Sequence, residues 1–366
     1  MQLGIVGLPN SGKSTLFNAL TKAGAAVAAY PFTTIEPNVG VAVLQDHRLD
    51  DLANMIQPEK VVPATVEFVD IAGLVRGAHK GEGLGNQFLG HIRNVDAVIY
   101  VLRCFTDEGV AHPYAKIDPI EDLETLNLEL ALADMAMLDR RKEKISADLK
   151  KARDDRDRAA SCVELIDAIA KDLGTGKRPD SDLVAQITAI STTELNLLTA
   201  KPCLYVANVD DSELPNGGEL AERVRNLASN ENAESVTLCA KLEMELVALP
   251  EEDAQMFASE YGLKSSGLDR LVAAGFRLLD LITFFTVVGG KVVRSWPIPR
   301  NTAAPAAAGK VHTDMERGFI RAEVISSQDL LRLGSWATAR EEGQVRIEGK
   351  EYLVQDGDVI QFLFSS

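Results

Sequence analysis

The sequence GLPNSGKS at residues 7–14 constrains the fold more than any other feature of the chain. It fits the pattern G-x-x-x-x-G-K-[ST] through Gly7, Gly12, Lys13 and Ser14, and it lies between the apolar run QLGIV and the helical pattern STLFNALTKAG. Glycines let such a loop wrap an anion with backbone N–H groups, and the N-terminus of the next helix adds positive potential. The pattern therefore predicts a strand, a phosphate-binding loop and a helix.

Two residues of this loop have specific predicted tasks. Lys13 should reach the β- and γ-phosphates of a nucleotide, and Ser14 should ligate Mg²⁺. The rest of the predicted phosphate-binding segment consists of Asn10, Ser11, Gly12 and Thr15.

Short β-branched runs recur along the chain, and helical patterns follow them. The runs are QLGIVG, TVEFVD, AVIYVLR, CLYVAN and SVTLC. Strands that alternate with helices form parallel β-α-β units, and runs that are apolar on both sides of the pleat indicate a sheet buried on both faces. We predict an α/β P-loop nucleotide-binding domain in residues 1–117 and 200–280.

Residues 118–199 interrupt this alternation with helical patterns. Asp118 is a predicted N-cap, with Pro119 at the first helical position and Glu121 at the third. The stripe that follows is typical of a helix packed on another helix, and it consists of Leu123, Leu126, Leu130, Ala133 and Met137. We interpret the segment as an inserted helical, coiled-coil-like arm. Its residues 140–158 hold nine Lys/Arg against five Asp/Glu, which suits either a solvated face or a partner-binding surface.

Residues 281–366 have the pattern of a small, mostly β domain. LITFFTVVGGKVVRSWPIP alternates around a Gly-Gly turn, and YLVQDGDVIQFLF reads as strand, Asp-Gly turn and strand. Residues 291–321 contain six Lys/Arg and two acids, so this domain carries a locally basic surface.

Two motifs downstream of the loop complete a nucleotide switch. VEFVDIAGL supplies a D-x-x-G motif in which Asp70 can hold the Mg²⁺ shell and Gly73 can offer its N–H to a γ-phosphate. YPFTTIEP supplies Thr33 and Thr34, either of which could reach the metal and the γ-phosphate in the triphosphate state.

The residue that would orient the attacking water is missing from its usual place. Ras-like enzymes have glutamine directly after D-x-x-G, whereas this chain has Leu74, which cannot hydrogen-bond water. His112 is a candidate for that role because histidine titrates near neutrality, although a loop histidine is more often solvent-exposed and idle.

The segment LYVANVDDSEL, residues 204–214, resembles a guanine-reading N-K-x-D loop without its lysine. Asn208 and Asp211 are present, and Val209 replaces the lysine. Val209 would keep apolar packing over a base while removing the charged stem. Adenine lacks the N1–H and 2-amino groups that the aspartate accepts from guanine, so a carboxylate has less to bind there. The loop alone leaves ATP and GTP both open.

Composition restricts the class of protein. A chain of 366 residues suits two or three domains, and its composition, 46% hydrophobic and 25% charged, is ordinary for a globular protein without a membrane span. A start of MQLGIVG without a signal-peptide pattern predicts a cytoplasmic location. Four widely separated cysteines indicate neither a zinc site nor a disulfide framework. The net charge of −16 argues against a protein that coats nucleic acid along its whole surface, so no DNA partner is expected.

Taken together, these motifs resemble the YchF-type Obg-like ATPases, a group related to the Obg P-loop GTPases, over essentially the whole chain. GIVGLPNSGKSTLFNALTKAG, PFTTIEPNVGV, FVDIAGLVRGAHKGEGLGNQFL and AAGKVHTDMERGFIRAEVI all match. The resemblance implies a Ras-like domain, an inserted helical arm and a C-terminal β-grasp TGS domain.

The same resemblance implies an activity and its cofactors. It implies preference for ATP over GTP, Mg²⁺ held by Ser14 and Thr34, and slow hydrolysis stimulated by the ribosome, with rRNA and proteins of the large subunit as contacts. It favours His112 as an aid to hydrolysis and implies K⁺ at Asn10 as a secondary feature. ATP-preferring relatives end the base loop in Glu, so Asp211 is a departure that favours guanine.

We therefore expect a ribosome-associated ATPase switch. A scaffold that uses ATP only as a conformational ligand, a GTPase, and a phosphotransferase are the alternatives, the last disfavoured by the paired switch motifs.

Overall fold

The computed structural model describes residues 1–27, 38–71, 77, 84–107, 109–114, 116–149, 156–191 and 195–365. The chain folds as two compact units. The first comprises Met1–Lys22, Pro31–Gly40 and Phe68–Leu268, and the second comprises Ala23–Tyr30, Val41–Glu67 and Asp269–Ser366. None of the helices in the described part of the chain is long and apolar enough to cross a membrane.

Strands and helices alternate through most of the chain. The strands are β1 (Gln2–Val6), β2 (Val39–Val43), β3 (Lys60–Val62), β4 (Thr65–Asp70), β5 (Ala97–Arg103), β6 (Cys203–Asn208), β7 (Glu234–Leu238), β8 (Leu281–Val288), β9 (Val292–Pro299), β10 (Phe319–Ser326), β11 (Arg346–Glu348) and β12 (Asp358–Phe364). The helices are α1 (Lys13–Val27), α2 (His47–Ile56), α3 (Leu84–Asn94), α4 (Pro119–Leu149), α5 (Arg156–Gly174), α6 (Ser181–Ser191), α7 (Gly218–Asn230), α8 (Ala240–Leu246), α9 (Glu251–Glu260), α10 (Gly267–Leu278), α11 (Ala304–Val311), α12 (Thr313–Arg317), α13 (Ser327–Leu333) and α14 (Trp336–Glu341).

The nucleotide-binding sheet has the strand order β2-β4-β1-β5-β6-β7. The pairs β1–β5, β5–β6 and β6–β7 are parallel, and every residue of β5 and β6 is buried. This confirms the predicted α/β core. In the register of these strands Arg103 lies opposite Asn208, and Asn208 opposite Leu238. The loops that follow β1, β5, β6 and β7 therefore meet at one edge of the sheet, the usual place for ligands in such folds.

The long helix α4 begins as the sequence predicts. It starts at Pro119, and Asp118 Oδ1 accepts hydrogen bonds from the backbone N–H groups of Ile120 at 3.1 Å and Glu121 at 3.4 Å. The N-cap satisfies N–H groups that have no partner within the helix.

The apolar stripe of α4 packs differently from the prediction. Leu123, Leu126 and Leu130 join the core of the sheet, together with β5 and β6, rather than another arm helix. Contact with α5 and α6 comes from further along, where Met137, the last residue of the stripe, and Leu138 pack with Ile166 as predicted. The reason is length: at ~1.5 Å per residue the 31-residue helix extends well beyond the sheet it covers. The division into residues 118–199 as an arm stays a prediction.

A buried carboxylate joins α4 to the turn before β6. Asp134 is fully buried, and it accepts hydrogen bonds from the backbone N–H groups of Leu198 at 3.0 Å and Thr199 at 2.9 Å and from the Thr199 hydroxyl at 2.7 Å. Burial raises the pKa of Asp134, while these three donors lower it. The carboxylate thus replaces water for donors that are remote in sequence.

Replacing Asp134 with alanine is expected to destabilise the first unit by about 3 kcal/mol, because two buried N–H groups and a hydroxyl lose their acceptor. Urea unfolding should show a lower midpoint. Asp139→Ala, an exposed change on the same helix, is the matched control. Equal midpoints for the two variants would contradict the assigned role of Asp134.

The second unit contains a mixed sheet in the order β11-β10-β12-β8-β9-β3. The predicted hairpin is confirmed: β8 and β9 are antiparallel and join through Gly289 and Gly290, both at positive φ. The other predicted hairpin is wrong in its first strand, because residues 349–357, all of them described, form only an isolated bridge from Leu353 to Ala303.

This unit is mixed rather than mostly β, because helices cover its sheet. Ala304, Ala307 and Ala308 of α11 pack in one core cluster with β8 and β10 residues. Leu330 of α13 and Ala339 of α14 pack in another. A sheet with two apolar faces needs such cover on both.

Residues from early in the chain complete the second unit. β3 pairs in parallel with β9, and Arg48 of α2 donates from Nη1 to Asp356 Oδ2 at 2.8 Å. Leu49 and Leu52 of α2 lie in the same core cluster as Phe285. The segment between P-loop and D-x-x-G motif is thus shared between the two units.

Candidate functional site

The P-loop runs from the end of β1 to the start of α1. Gly12 has φ +93°, and a Cβ atom built there would lie 2.1 Å from Asn208 Nδ2. Asn10 also has positive φ, at 63°. Glycine is therefore required at position 12 both by backbone conformation and by the close approach of Asn208.

Lys13 is folded into this loop. Its side chain donates from Nζ to the Leu8 carbonyl at 2.9 Å, and the residue is only 7% exposed. Desolvation lowers the pKa of Lys13 to about 8, with the nearby Asp70 carboxylate acting in the opposite direction. A desolvated cation in a loop of backbone N–H groups favours a bound anion.

The residues predicted to hold a metal ion lie together where the structure describes them. Ser14 Oγ donates to Asp70 Oδ2 at 3.4 Å, and Asp70 Oδ1 is buried with no hydrogen-bond partner among the described residues. Burial raises the pKa of Asp70, opposed by Lys13 and Ser14. An orphan carboxylate oxygen beside a hydroxyl fits a hard, oxygen-preferring cation such as Mg²⁺.

Two other predicted P-loop residues lie beside Lys13 and Ser14 in the sequence. Ser11 is buried, and its Oγ has no partner in the described part of the chain, so it is able to donate to a phosphate oxygen. Thr15 lies in the first turn of α1. Thr34, Gly73 and Leu74 fall outside the described residues.

Asn208 forms hydrogen bonds with both the P-loop and the first residue of α8. Its Nδ2 donates to the Ser11 carbonyl at 3.0 Å, and its Oδ1 accepts from the Ala240 N–H at 2.9 Å. The residue is 4% exposed. Asn208 therefore shapes the P-loop and the CAKLE segment.

Val209 does not have its predicted position over a base. It is 2% exposed and belongs to the core cluster of the sheet, and its N–H donates to the Leu238 carbonyl at 2.9 Å. Burial of an apolar side chain is more favourable in free energy than its exposure in a loop. Val209, which stands in place of the lysine, therefore packs in the core.

Asp211 already has partners within the protein. Its Oδ1 accepts from the Ser212 N–H at 2.9 Å, and its charge acts on the phenol group of Tyr261. Desolvation raises the pKa of Tyr261, and the charge of Asp211 raises it further. Sequence reasoning missed Tyr261, because no local pattern links residues 50 positions apart.

His112 is held by hydrogen bonds on both ring nitrogens. Nδ1 accepts from the Tyr114 N–H at 3.2 Å, so Nε2 carries the proton and donates to Asp122 Oδ2 at 3.0 Å. Both side chains are 5% exposed. Burial raises the pKa of Asp122, and the bond to His112 lowers it. Sequence reasoning missed Asp122, which lies on the predicted face of α4 beside Leu123.

The P-loop contacts the segment that carries His112. Asn10 Nδ2 donates to the Ala111 carbonyl at 2.9 Å. The histidine therefore lies one residue from a direct P-loop contact, although its ring is turned into the bond with Asp122 in this conformation.

Comparisons with known proteins agree with this architecture. Residues 2–138 match the family described as 50S ribosome-binding GTPase, and residues 281–365 match the YchF-GTPase C-terminal family, described as a protein of unknown function. The protein named Ribosome-binding ATPase YchF from Bacillus subtilis (strain 168) is 49% identical over 364 residues, covering 99% of this chain and 98% of the relative.

Two further relatives cover the whole chain. The protein of the same name from Escherichia coli O157:H7 is 47% identical over 363 residues, covering 99% of this chain and 98% of its own length. The solved structure titled as the Schizosaccharomyces pombe YchF GTPase has a TM-score of 0.87 at 32% identity, covering 99% of this chain and 97% of that one. A P-loop domain, a shared C-terminal family and full-length identity near one half all point the same way: the chain belongs to the YchF family.

Proposed function

We propose that the protein is a ribosome-associated P-loop ATPase that acts as a nucleotide-dependent switch. The observation that carries the proposal is the site at the carboxyl edge of the sheet, where a desolvated Lys13, the Ser14–Asp70 pair and Asn208 converge. Curated relatives at 47–49% identity are named ribosome-binding ATPases, which supports the same activity here.

Phosphate charge is handled by the P-loop. Lys13 would exchange its bond with the Leu8 carbonyl for the β- and γ-phosphates, and Ser11 and the loop amides would donate to phosphate oxygens. Ser14, Asp70 and Thr34 would hold Mg²⁺, and Gly73 would donate its N–H to the γ-phosphate. Bound Mg²⁺ supplies charge neutralisation to the phosphates.

A monovalent cation is a secondary part of the proposal. Asn10 donates through Nδ2 to Ala111, so K⁺ would bind the other end of that amide, its Oδ1. Carbonyl-type oxygens are suitable ligands for such a cation.

Base preference depends on the hydrogen bonds that the Asp211 carboxylate can still accept. Guanine recognition needs a carboxylate that accepts from both N1–H and the 2-amino group. Asp211 Oδ1 already accepts from the Ser212 N–H, and the carboxylate charge acts on Tyr261. We therefore place ATP ahead of GTP, although the Schizosaccharomyces pombe relative is titled a GTPase.

Hydrolysis in the isolated protein is proposed to be slow. Leu74 cannot orient water, and His112 must first release the Tyr114 N–H before its unprotonated Nδ1 can accept a proton from water. A ribosome that changes the segment around His112 would supply the missing alignment. We propose that the arm, residues 118–199, and the C-terminal domain, residues 281–366, contact rRNA and proteins of the large subunit, in the cytoplasm.

His112→Ala is expected to lower ribosome-stimulated ATP hydrolysis by roughly 10–100-fold with little change in nucleotide affinity, because a proton-transfer group is lost while the phosphate contacts remain. Phosphate release under single-turnover conditions measures the rate. The control is His91→Ala, an exposed histidine on α3. Wild-type rates in the His112 variant would remove this residue from the mechanism.

The test of the proposed function is ATP turnover with and without ribosomes. A rise of at least about tenfold on adding 70S particles supports the switch. Ribosome binding without any rise would favour the scaffold, in which ATP is a conformational ligand. Transfer of labelled γ-phosphate to a protein would indicate a phosphotransferase.

A further inference from the structure

Helix α9 of the first unit exposes apolar side chains beside acidic ones. Among the described residues with large exposed apolar side chains, three lie within residues 249–257: Leu249 at 40%, Met256 at 63% and Phe257 at 36% exposure. Single exposed apolar residues are normal, but such a cluster on a short segment is typical of an interaction surface.

The buried side of α9 is already occupied. Ala258 belongs to a small core cluster with Leu242 and Leu246 of α8, and Ala254 and Tyr261 pack against that cluster. Met256 lies on the opposite side of the helix. The exposed apolar face is therefore not needed to hold α9 on its own unit.

Acidic residues frame the apolar ones. Residues three and four apart lie on one face of a helix, so Asp253, Met256, Phe257 and Glu260 form one stripe. The whole stretch from residue 242 to residue 263 has six Asp/Glu and no Lys, Arg or His. Of these acids only Glu243 is buried, where it accepts from the Gly267 N–H.

We infer that the exposed face of α9, formed by Asp253, Met256, Phe257 and Glu260, is a docking surface for a lysine- and arginine-rich amphipathic helix of a partner protein. An apolar strip with charged margins matches helix recognition, in which apolar anchors give affinity and flanking charges give register and specificity.

Charge selects this occupant over the others. RNA and anionic membranes both present negative charge, which the six-acid stretch repels. A second copy of α9 would bring the same acids, on a chain of net charge −16. A basic segment instead gains attraction at the margins and buries Met256 and Phe257 at the centre, where interface residues contribute most.

The surface lies close to the base loop. The rings of Phe257 and Tyr261 lie 5.8 Å apart between centroids, and the charge of Asp211 acts on Tyr261. A partner that binds over Phe257 would thus lie beside Tyr261. The inference goes beyond the proposed ATPase activity and does not depend on it.

The experiment measures binding of a labelled Leu/Lys amphipathic helical peptide to the full chain by fluorescence anisotropy at physiological salt, without nucleotide. A scrambled peptide of identical composition controls for general attraction to an acidic protein. Tighter binding of the amphipathic peptide by at least about tenfold is expected. Equal affinities for the two peptides would overturn the inference.

Variants locate the binding. Met256→Ser should weaken binding by about tenfold because it removes the central apolar contact. Asp253→Lys with Glu260→Lys should do the same because it replaces the flanking acidic charges with basic ones. Their matched controls lie in the second unit: Ile347→Ser, 64% exposed, and Glu341→Lys with Glu342→Lys. Controls that weaken binding as much as the α9 variants would overturn the inference. So would a single-stranded RNA probe whose binding depends on Met256.

Discussion

Replacing Lys13 with methionine is expected to abolish ATP hydrolysis, by more than about 1,000-fold, while raising the stability of the empty protein by on the order of 1 kcal/mol. Methionine keeps the apolar stem and removes the ammonium group, which is desolvated in the loop and, among the described residues, donates to the Leu8 carbonyl. The same ammonium is the proposed main cation for the phosphates.

Two measurements separate these effects. Phosphate release gives the rate, and thermal unfolding without nucleotide gives the stability, compared with Lys22→Met on the exposed side of α1. Opposite signs for stability and activity indicate a residue kept for function at a cost in stability. A strongly destabilised Lys13→Met protein would instead mean that Lys13 holds the loop together.

Asn208→Ala is expected to weaken nucleotide binding by more than about tenfold and to destabilise the first unit by about 2–3 kcal/mol, because a buried carbonyl and a buried N–H lose their partner at once. Ser11 lies in the P-loop and Ala240 begins α8, so the amide fixes their spacing. Equilibrium nucleotide binding and urea unfolding measure the two effects.

The control variant is Asn226→Ala, which changes an exposed asparagine on α7. Asn208→Asp tests the donor alone, because its carboxylate still accepts from Ala240 but faces the Ser11 carbonyl with an oxygen. Loss in Asn208→Asp as large as in Asn208→Ala would assign the effect to the P-loop bond. Wild-type affinity in both variants would contradict the bridging role.

Local sequence patterns predicted the sheet of the first unit well, because short consecutive stretches of the chain encode its strands, loops and helices. A strand, a glycine loop and a helix follow one another directly at residues 2–27, and β5 and β6 are continuous apolar runs. The capping of α4 by Asp118 was predictable for the same reason. The P-loop and D-x-x-G motifs also predicted that Ser14 and Asp70 would lie together.

Long-range choices were not predictable from such patterns. The pairing of β3 with β9 joins residues more than 200 positions apart, and no periodicity in either strand encodes that partner. The stripe of α4 is compatible with a neighbouring helix and with a sheet, so its packing against β5 needed the structure. Val209 was ambiguous for the same reason, since an apolar residue can stack on a base or pack in a core. The structure buries its side chain in the core.

We propose that this site binds ATP in preference to GTP, since Asp211 Oδ1 accepts from Ser212 and Val209 is buried in the core. Equilibrium binding of non-hydrolysable ATP and GTP analogues, side by side with Mg²⁺, tests it most directly. Tighter binding of the ATP analogue is the predicted result. Tighter binding of the GTP analogue would show that Asp211 reads guanine without the lysine, and the protein would then be a GTPase.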